Sequence, residues 1–193
     1  MTQDEEALAE SLATDLDNAF TQLISVYQYR LYAFLLRQTG SPQDAEDIVQ
    51  EAFIQAYFAL GAYPLQRVRT LKFHPWLYKI ALNIFYNRRR TFRLQYVSLD
   101  EPGSEQHLEL EDEVSKQPEA VFEGRESVRE LETLVVRLPE QYREAVNLYY
   151  FEGLSYQEIA DVLNIPMGTV KTHLHRGIRL LRKALIPSEK ELG

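Results

Sequence analysis

Residues 153 to 185 read GLSYQEIADVLNIPMGTVKTHLHRGIRLLRKAL, and this stretch decides the fold. Ser155 followed three residues later by Glu158 forms a capping box that starts one helix. Ala160 is small where two helices must approach, and Asn164 tolerates the left-handed turn conformation that ends the helix. Ile159, Leu163, Val170 and Leu174 then bury the angle between this helix and a second one over 167 to 185. The spacing predicts a helix-turn-helix. Its second helix carries Lys171, Thr172, His173, Arg176 and Arg179, and residues 164 to 183 hold five bases and no acid. Docking in a DNA major groove requires such a helix, whose early residues reach base edges while later ones grip phosphates. The structural alternative is a helical hairpin with a solvated basic face.

Upstream of this motif, Pro139 and Gly153-Leu154 punctuate helices expected over 120 to 138 and 140 to 151. Residues 98 to 119 (SLDEPGSEQHLELEDEVSKQPE) contain no aromatic residue and hold eight acids against one base. This composition marks a solvated linker and hence a domain boundary. Before it, apolar residues at helical spacing predict a helix from 16 to about 38, and Gly40-Ser41-Pro42 stops it and caps the next. That next helix, running to about 60, buries Ala45, Ile48, Val49, Ala52, Phe53, Ala56 and Leu60. Asp47, Gln50, Glu51, Ile54 and Phe58 are left outside, an unusual mixture of carboxylates and large apolar groups. Residues 61 to 75 read as an irregular basic loop, followed by a helix from 76 to about 92. Residues 61 to 97 hold eight bases and no acid. Tyr63, Phe73, Trp76, Tyr78, Phe85, Tyr86 and Phe92 alternate there with cations, a pattern that suits stacking of unpaired bases along a single strand. The competing reading makes Trp76, Ile80 and Phe85 core residues.

The fold class expected is all-α, two small helical domains joined by a flexible acidic linker. The 193 residues carry a net charge of −8, which taken alone disfavours an acidic partner. Residues 1 to 20 contribute six acids and no base, and with the linker they more than account for the excess. The chain has no cysteine, which excludes a disulfide framework, a thiol nucleophile and a Cys-based zinc site. No signal peptide or membrane span is evident, so a cytoplasmic location is expected. His173 and His175 lie two apart on a helix and share no face, and His74 and His107 have no evident ligand partners. There is no glycine-rich phosphate loop and no nucleophile paired with a base, so neither catalysis, a metal nor a cofactor is expected.

Three ordered blocks, DAEDIVQEAFIQAY (44 to 57), FHPWLYKIALN (73 to 83) and 138 to 176, resemble the sigma-70 family of bacterial transcription initiation factors. The resemblance is to the compact extracytoplasmic-function class, which keeps only sigma regions 2 and 4. It implies region 2 over 16 to 97, the linker over 98 to 119 and region 4 over 120 to 186, which leaves an acidic arm over 1 to 15 and a tail over 187 to 193. Asp47, Gln50, Glu51, Ile54 and Tyr57 match the surface that docks the clamp helices of the RNA polymerase largest subunit. Tyr63, Arg67, Arg69, Lys72, Phe73, Trp76, Lys79, Asn83 and Arg88 fall in the segment that reads and opens the −10 promoter element, with Asn83 at the pocket for a flipped base. Ser155, Thr169, Lys171, Thr172, His173, Arg176 and Arg179 match the −35 reader. The implied partners are core polymerase, through its clamp helices and flap region, promoter DNA and an anti-sigma factor.

The chain departs from the family pattern in carrying His173 where arginine is common and Gly177 where alanine is common. Its first fifteen residues match nothing recognisable, and disorder is expected there. TVKTHL also resembles the helix-turn-helix of LuxR-type regulators, which bind duplex operators without joining polymerase. That alternative calls for a sensor domain of alternating strands and helices, and residues 1 to 97 offer no strand pattern.

Overall fold

The computed structural model describes residues 3–96 and 125–185, with side chains over 4–91 and 131–185. The expected acidic linker, 98–119, and tail, 187–193, lie outside the described residues. All regular structure among the described residues is helical. The N-terminal module comprises α1 (Gln3–Thr14), α2 (Leu16–Thr39), α3 (Pro42–Ala62), the single turn α4 (Leu65–Arg69) and α5 (Phe73–Tyr96). The C-terminal module comprises α6 (Arg125–Val136), α7 (Glu140–Val146), a π-helical segment (Asn147–Phe151), α8 (Tyr156–Leu163) and α9 (Met167–Leu185).

Local chemistry accounts for most of these boundaries. Asp15 caps α2 by accepting from Asn18 N, Gly40 ends it in the left-handed conformation (φ 71°), and Ser41 caps α3 with Pro42 at its first position. The stripe expected on α3 faces the core, with Ala45, Ile48, Ala52, Phe53, Ala56 and Leu60 buried and Val49 half-buried. Both halves of the capping box at Ser155 and Glu158 form, and Asn164 ends α8 at φ 55°, the turn its position demands.

Three expectations change. Residues 3 to 14 are not a disordered arm but a helix, because Leu8, Ala9, Leu12 and Ala13 make a buried stripe that packs on α2 and α4. The loop over 61 to 75 contains α4, anchored by buried Val68, and α5 begins at Phe73 rather than Trp76. The helix expected over 140 to 151 widens in its last turn, where Glu152 N bonds Asn147 O at 3.2 Å. Such an insertion turns the following side chains to a new direction, and here it aims Phe151 and Glu152 at the N-terminal module.

The two modules are packed together. Arg37, at the end of α2 and only 7% exposed, donates from Nε to Asn147 Oδ1 (2.8 Å), from Nη2 to Glu152 Oε1 (2.8 Å) and from Nη1 to Glu132 Oε1 (3.1 Å). Its guanidinium lies 4.2 Å from the centre of the Phe151 ring. Asn147 Nδ2 donates to the Phe34 carbonyl (3.0 Å), and the Tyr78 hydroxyl donates to Glu152 Oε2 (2.5 Å). Every one of these bonds joins one module to the other. Burial and the Glu152 carboxylate push the Tyr78 hydroxyl far above the ordinary phenol value, so it remains a donor.

Candidate polymerase and nucleic-acid interface

On the outer face of α3, Asp47, Gln50 and Ile54 stand exposed together, as the pattern predicted. Ile54 is 58% exposed and Phe58 is 70% exposed, an apolar centre with carboxylates beside it, the composition of a protein-docking surface. Tyr57 serves that surface differently, since its hydroxyl donates to Asp17 and its ring stands edge-on to Phe20. It anchors α3 to α2, and Phe58 is the exposed aromatic of the face. The helical period already put Phe58 outside, but the motif comparison passed over it. Arg88 reaches this face, with Nη2 2.8 Å from Glu51 Oε2 and Nη1 3.6 Å from Asp47 Oδ2.

The basic segment forms a second surface. Arg67 stacks 3.7 Å above the Tyr63 ring, and Tyr63 sits 6.2 Å from half-buried Trp76. Asn83 is exposed on α5. Phe73 is a correction to the expected set: it is completely buried, meets Trp76 edge-on at 6.2 Å and supports that ring from behind rather than stacking a base. Arg69 is held by Glu10 of α1 through two bonds of 2.8 and 2.9 Å. Three further cations meet the C-terminal module. Lys72 Nζ lies 2.8 Å from Glu158 Oε1, Lys79 Nζ donates to the Asp161 carbonyl (2.7 Å), and Arg89 pairs with Glu140. The lysine beside Glu158, with help from the Ser155 hydroxyl and amide, holds that carboxyl down to about 2.

The third surface is α9. Gly168, Lys171, Thr172, His175 and Arg179 are exposed at spacings of three and four, so they share one outward face. Thr169 and Arg176 flank it half-buried. His173 is a second correction. Its ring packs edge-on against Tyr142 of α7 at 5.6 Å, and burial, then the Arg176 guanidinium, holds its pKa below the ordinary imidazole value. His175 takes the outward position, and counting three from Thr172 and four from Lys171 would have found it. Ser155 is committed to its cap, with Oγ 2.7 Å from Glu158 Oε2 and accepting from Glu158 N. Among the described residues no group of three His, Asp or Glu side chains could hold a metal ion.

Comparison with known proteins matches residues 23–93 to Sigma-70 region 2 and residues 128–181 to Sigma-70 region 4. The chain is 35% identical over 171 residues to the ECF RNA polymerase sigma factor SigW of Bacillus subtilis, covering 87% of this chain and 89% of that protein. The chain belongs to the sigma-70 family, in its extracytoplasmic-function class. It is also similar to the RNA polymerase sigma-H factor of Pseudomonas aeruginosa, at 34% identity across 99% of both chains. That alignment takes in the residues of α1. Two solved structures share the fold. One is the sigma factor RpoE bound to the anti-sigma factor NepR from Bartonella quintana, with a TM-score of 0.64 and 22% identity over 86% of this chain and 96% of that one. The other is CnrH in complex with the cytosolic domain of CnrY, with a TM-score of 0.61 and 24% identity over 94% and 96%.

A sigma-70 factor is a transcription initiation factor that directs RNA polymerase to promoters, and this places the chain in that function. The LuxR-type reading is not favoured, because the helical module in front of the helix-turn-helix is region 2 and not a sensor. No helix among the described residues is long and apolar enough to cross a membrane.

Proposed function

We propose that this sigma factor divides promoter recognition among its three surfaces. The face of α3 with Asp47, Gln50, Ile54 and Phe58 docks the polymerase clamp helices. Tyr63, Arg67, Trp76, Lys72, Lys79 and Asn83 engage the −10 element and its opened strand, where stacking and phosphate contacts offset the few kcal/mol of unstacking. Lys171, Thr172, His175, Arg176 and Arg179 read the −35 element. The observation that carries this reading is the outward face of α9, basic and exposed behind a properly capped turn. Polymerase supplies the chemistry, and the sigma factor supplies position and strand opening.

Lys72 and Lys79 are engaged by α8 in the packed arrangement, so their use on DNA requires the modules to part. Two modules on a tether then hold two promoter elements at once and gain from effective concentration. An anti-sigma factor fits as a partner that keeps these surfaces covered, and work on chromosomal promoters places the protein in the cytoplasm. The test mixes the full chain with core polymerase lacking any sigma and a library of genomic fragments. Promoter-specific transcripts are expected. Absence of transcripts, with tight binding of duplex DNA by the protein alone, would overturn the reading in favour of a free-standing regulator.

A further inference from the structure

α4 is one helical turn of five residues whose leading residue, Pro64, provides no side-chain cap. A turn that short does not hold itself together, so its position has to come from neighbours. Packing on α1 supplies it, with two side chains of α4 at its centre. Val68 is buried beneath α4, and on the outer side Arg69 Nε and Nη2 meet Glu10 Oε2 and Oε1 at 2.8 and 2.9 Å, a two-bond fork. Glu10 stands on α1, whose opposite stripe, Leu8, Ala9, Leu12 and Ala13, is locked into the core. The carboxyl is thus presented by a fixed helix to the short turn that packs on it. The pairing holds the Glu10 carboxyl below the usual carboxylate range and raises Arg69.

Arg69 and Arg67 lie two residues apart in α4 and do different things. Arg67 lies flat over Tyr63 and is exposed, whereas the hydrogen-bonding edge of Arg69 is occupied by Glu10. We infer that Arg69 is a positioning residue and not a DNA contact: clamped by Glu10, it fixes α4 so that Arg67 and Tyr63 face the opened −10 strand. α1 is thereby a working part of the −10 reader. This inference rests on the reading of 61 to 75 as the −10 segment.

Exchange of the two charges separates positioning from contact. Holoenzyme is assembled from core polymerase and the full chain, and opening of the −10 region is followed by permanganate reactivity of its thymines. Glu10→Ala and Arg69→Glu are each expected to lower opening by roughly two- to fivefold, the size of an exposed but two-bonded ion pair. Glu10→Arg combined with Arg69→Glu is expected to restore opening to within about twofold of the unaltered protein, since the pair re-forms with its ends reversed. A glutamate at 69 facing phosphate would repel DNA whatever stands at 10, so failure of the exchange to exceed Arg69→Glu alone overturns the proposal. So does a rise in opening with Glu10→Ala, which would mean that Glu10 competes with phosphate for Arg69. Glu10→Gln keeps the shape and one acceptor and is expected to fall between Glu10→Ala and the unaltered chain, while thermal unfolding confirms that each variant folds. Arg67→Ala and Asn83→Ala serve as controls. If they lower opening while the exchange fails, this proposal alone falls; if neither changes opening, the −10 reading falls and takes the proposal with it.

Discussion

Two histidines two positions apart on α9 separate what family likeness suggests from what packing allows. His173 occupies a position where the family commonly has arginine, yet its ring is turned onto Tyr142, and His175 is the exposed one. We expect His175→Ala to weaken binding of a −35 duplex about three- to tenfold in a fluorescence anisotropy titration, a typical share for one base-edge or phosphate contact. His173→Ala should instead lower the thermal stability of the chain and leave that affinity within about twofold. A buried residue elsewhere responds to pH. Glu144 is buried at the seam between the modules, facing the Tyr86 hydroxyl, Arg143, Arg89 and Gln38 Nε2 at 3.4 Å, and burial raises its carboxyl to about 7. A raised carboxyl pKa means that folding favours the protonated form. The associated stability is full below about 4.5, falls as pH rises toward 7 and stays low above it. Glu144→Gln is therefore expected to raise stability at pH 8, by about 2 kcal/mol in urea unfolding, and to flatten the profile between pH 5 and 8. Lys72 and Glu158 act in the opposite sense, since a carboxyl held at about 2 stabilises above 4.5 and loses that contribution in acid.

At the scale of elements, what was legible followed from short-range rules. The caps at Ser41 and Ser155, the left-handed Asn164 and the stripe of α3 each depend on residues within a turn or two of one another, and the structure has them where the spacing put them. α1 escaped because its stripe is short and lies in an acidic run, so composition outweighed periodicity. The π-helical segment escaped because no local pattern reports it; its first residue, Asn147, is bound by Arg37, 110 residues away in sequence. The exposed basic face of α9 was legible, but which of its side chains faces α7 was not. Gly177 illustrates the same limit. A Cβ there would come within 2.7 Å of Val146 Cγ2 on α7, so the close approach of α9 and α7 requires the glycine. In an exposed helix, alanine at such a site would add about 1 kcal/mol of stability. Here Gly177→Ala is expected to destabilise the chain, and to cost less in a Val146→Ala background. A double-mutant cycle by thermal unfolding measures that coupling, and strict additivity would contradict it.

The whole molecule is held together by ionised groups that have left water, and such an arrangement is sensitive to the loss of one partner. Arg37 and Glu152 are 7% and 5% exposed. Removing the cation leaves a buried carboxylate with fewer partners, a change worth about 3 kcal/mol. The buried apolar residues form one continuous cluster through both modules, and Arg37 lies at its polar seam, so the expected response to Arg37→Ala is a loosening of the seam rather than unfolding. Small-angle scattering should show a larger radius of gyration with helical content unchanged, and an unchanged radius would show that the apolar contacts of the seam suffice without it. The two domains were visible in the charge and composition of the chain, but their packing was not. A polar, acidic tether suggests independence, whereas the polar groups that join the modules are scattered from the Phe34 carbonyl to the Glu152 carboxylate.

The seam carries one more consequence, for the covalent chain itself. Its bonds join α2 and α5 to the segment around Asn147 and Glu152 without using any residue between 97 and 124. A backbone cut inside that interval severs the tether but none of the bonds described. The two pieces should therefore elute together from a sizing column and come apart when Arg37 is replaced. A factor divided in this way would be a two-part switch: each fragment inert at low concentration, the pair reconstituted by mass action, and the strength of reconstitution a direct measure of how firmly the intact protein is closed.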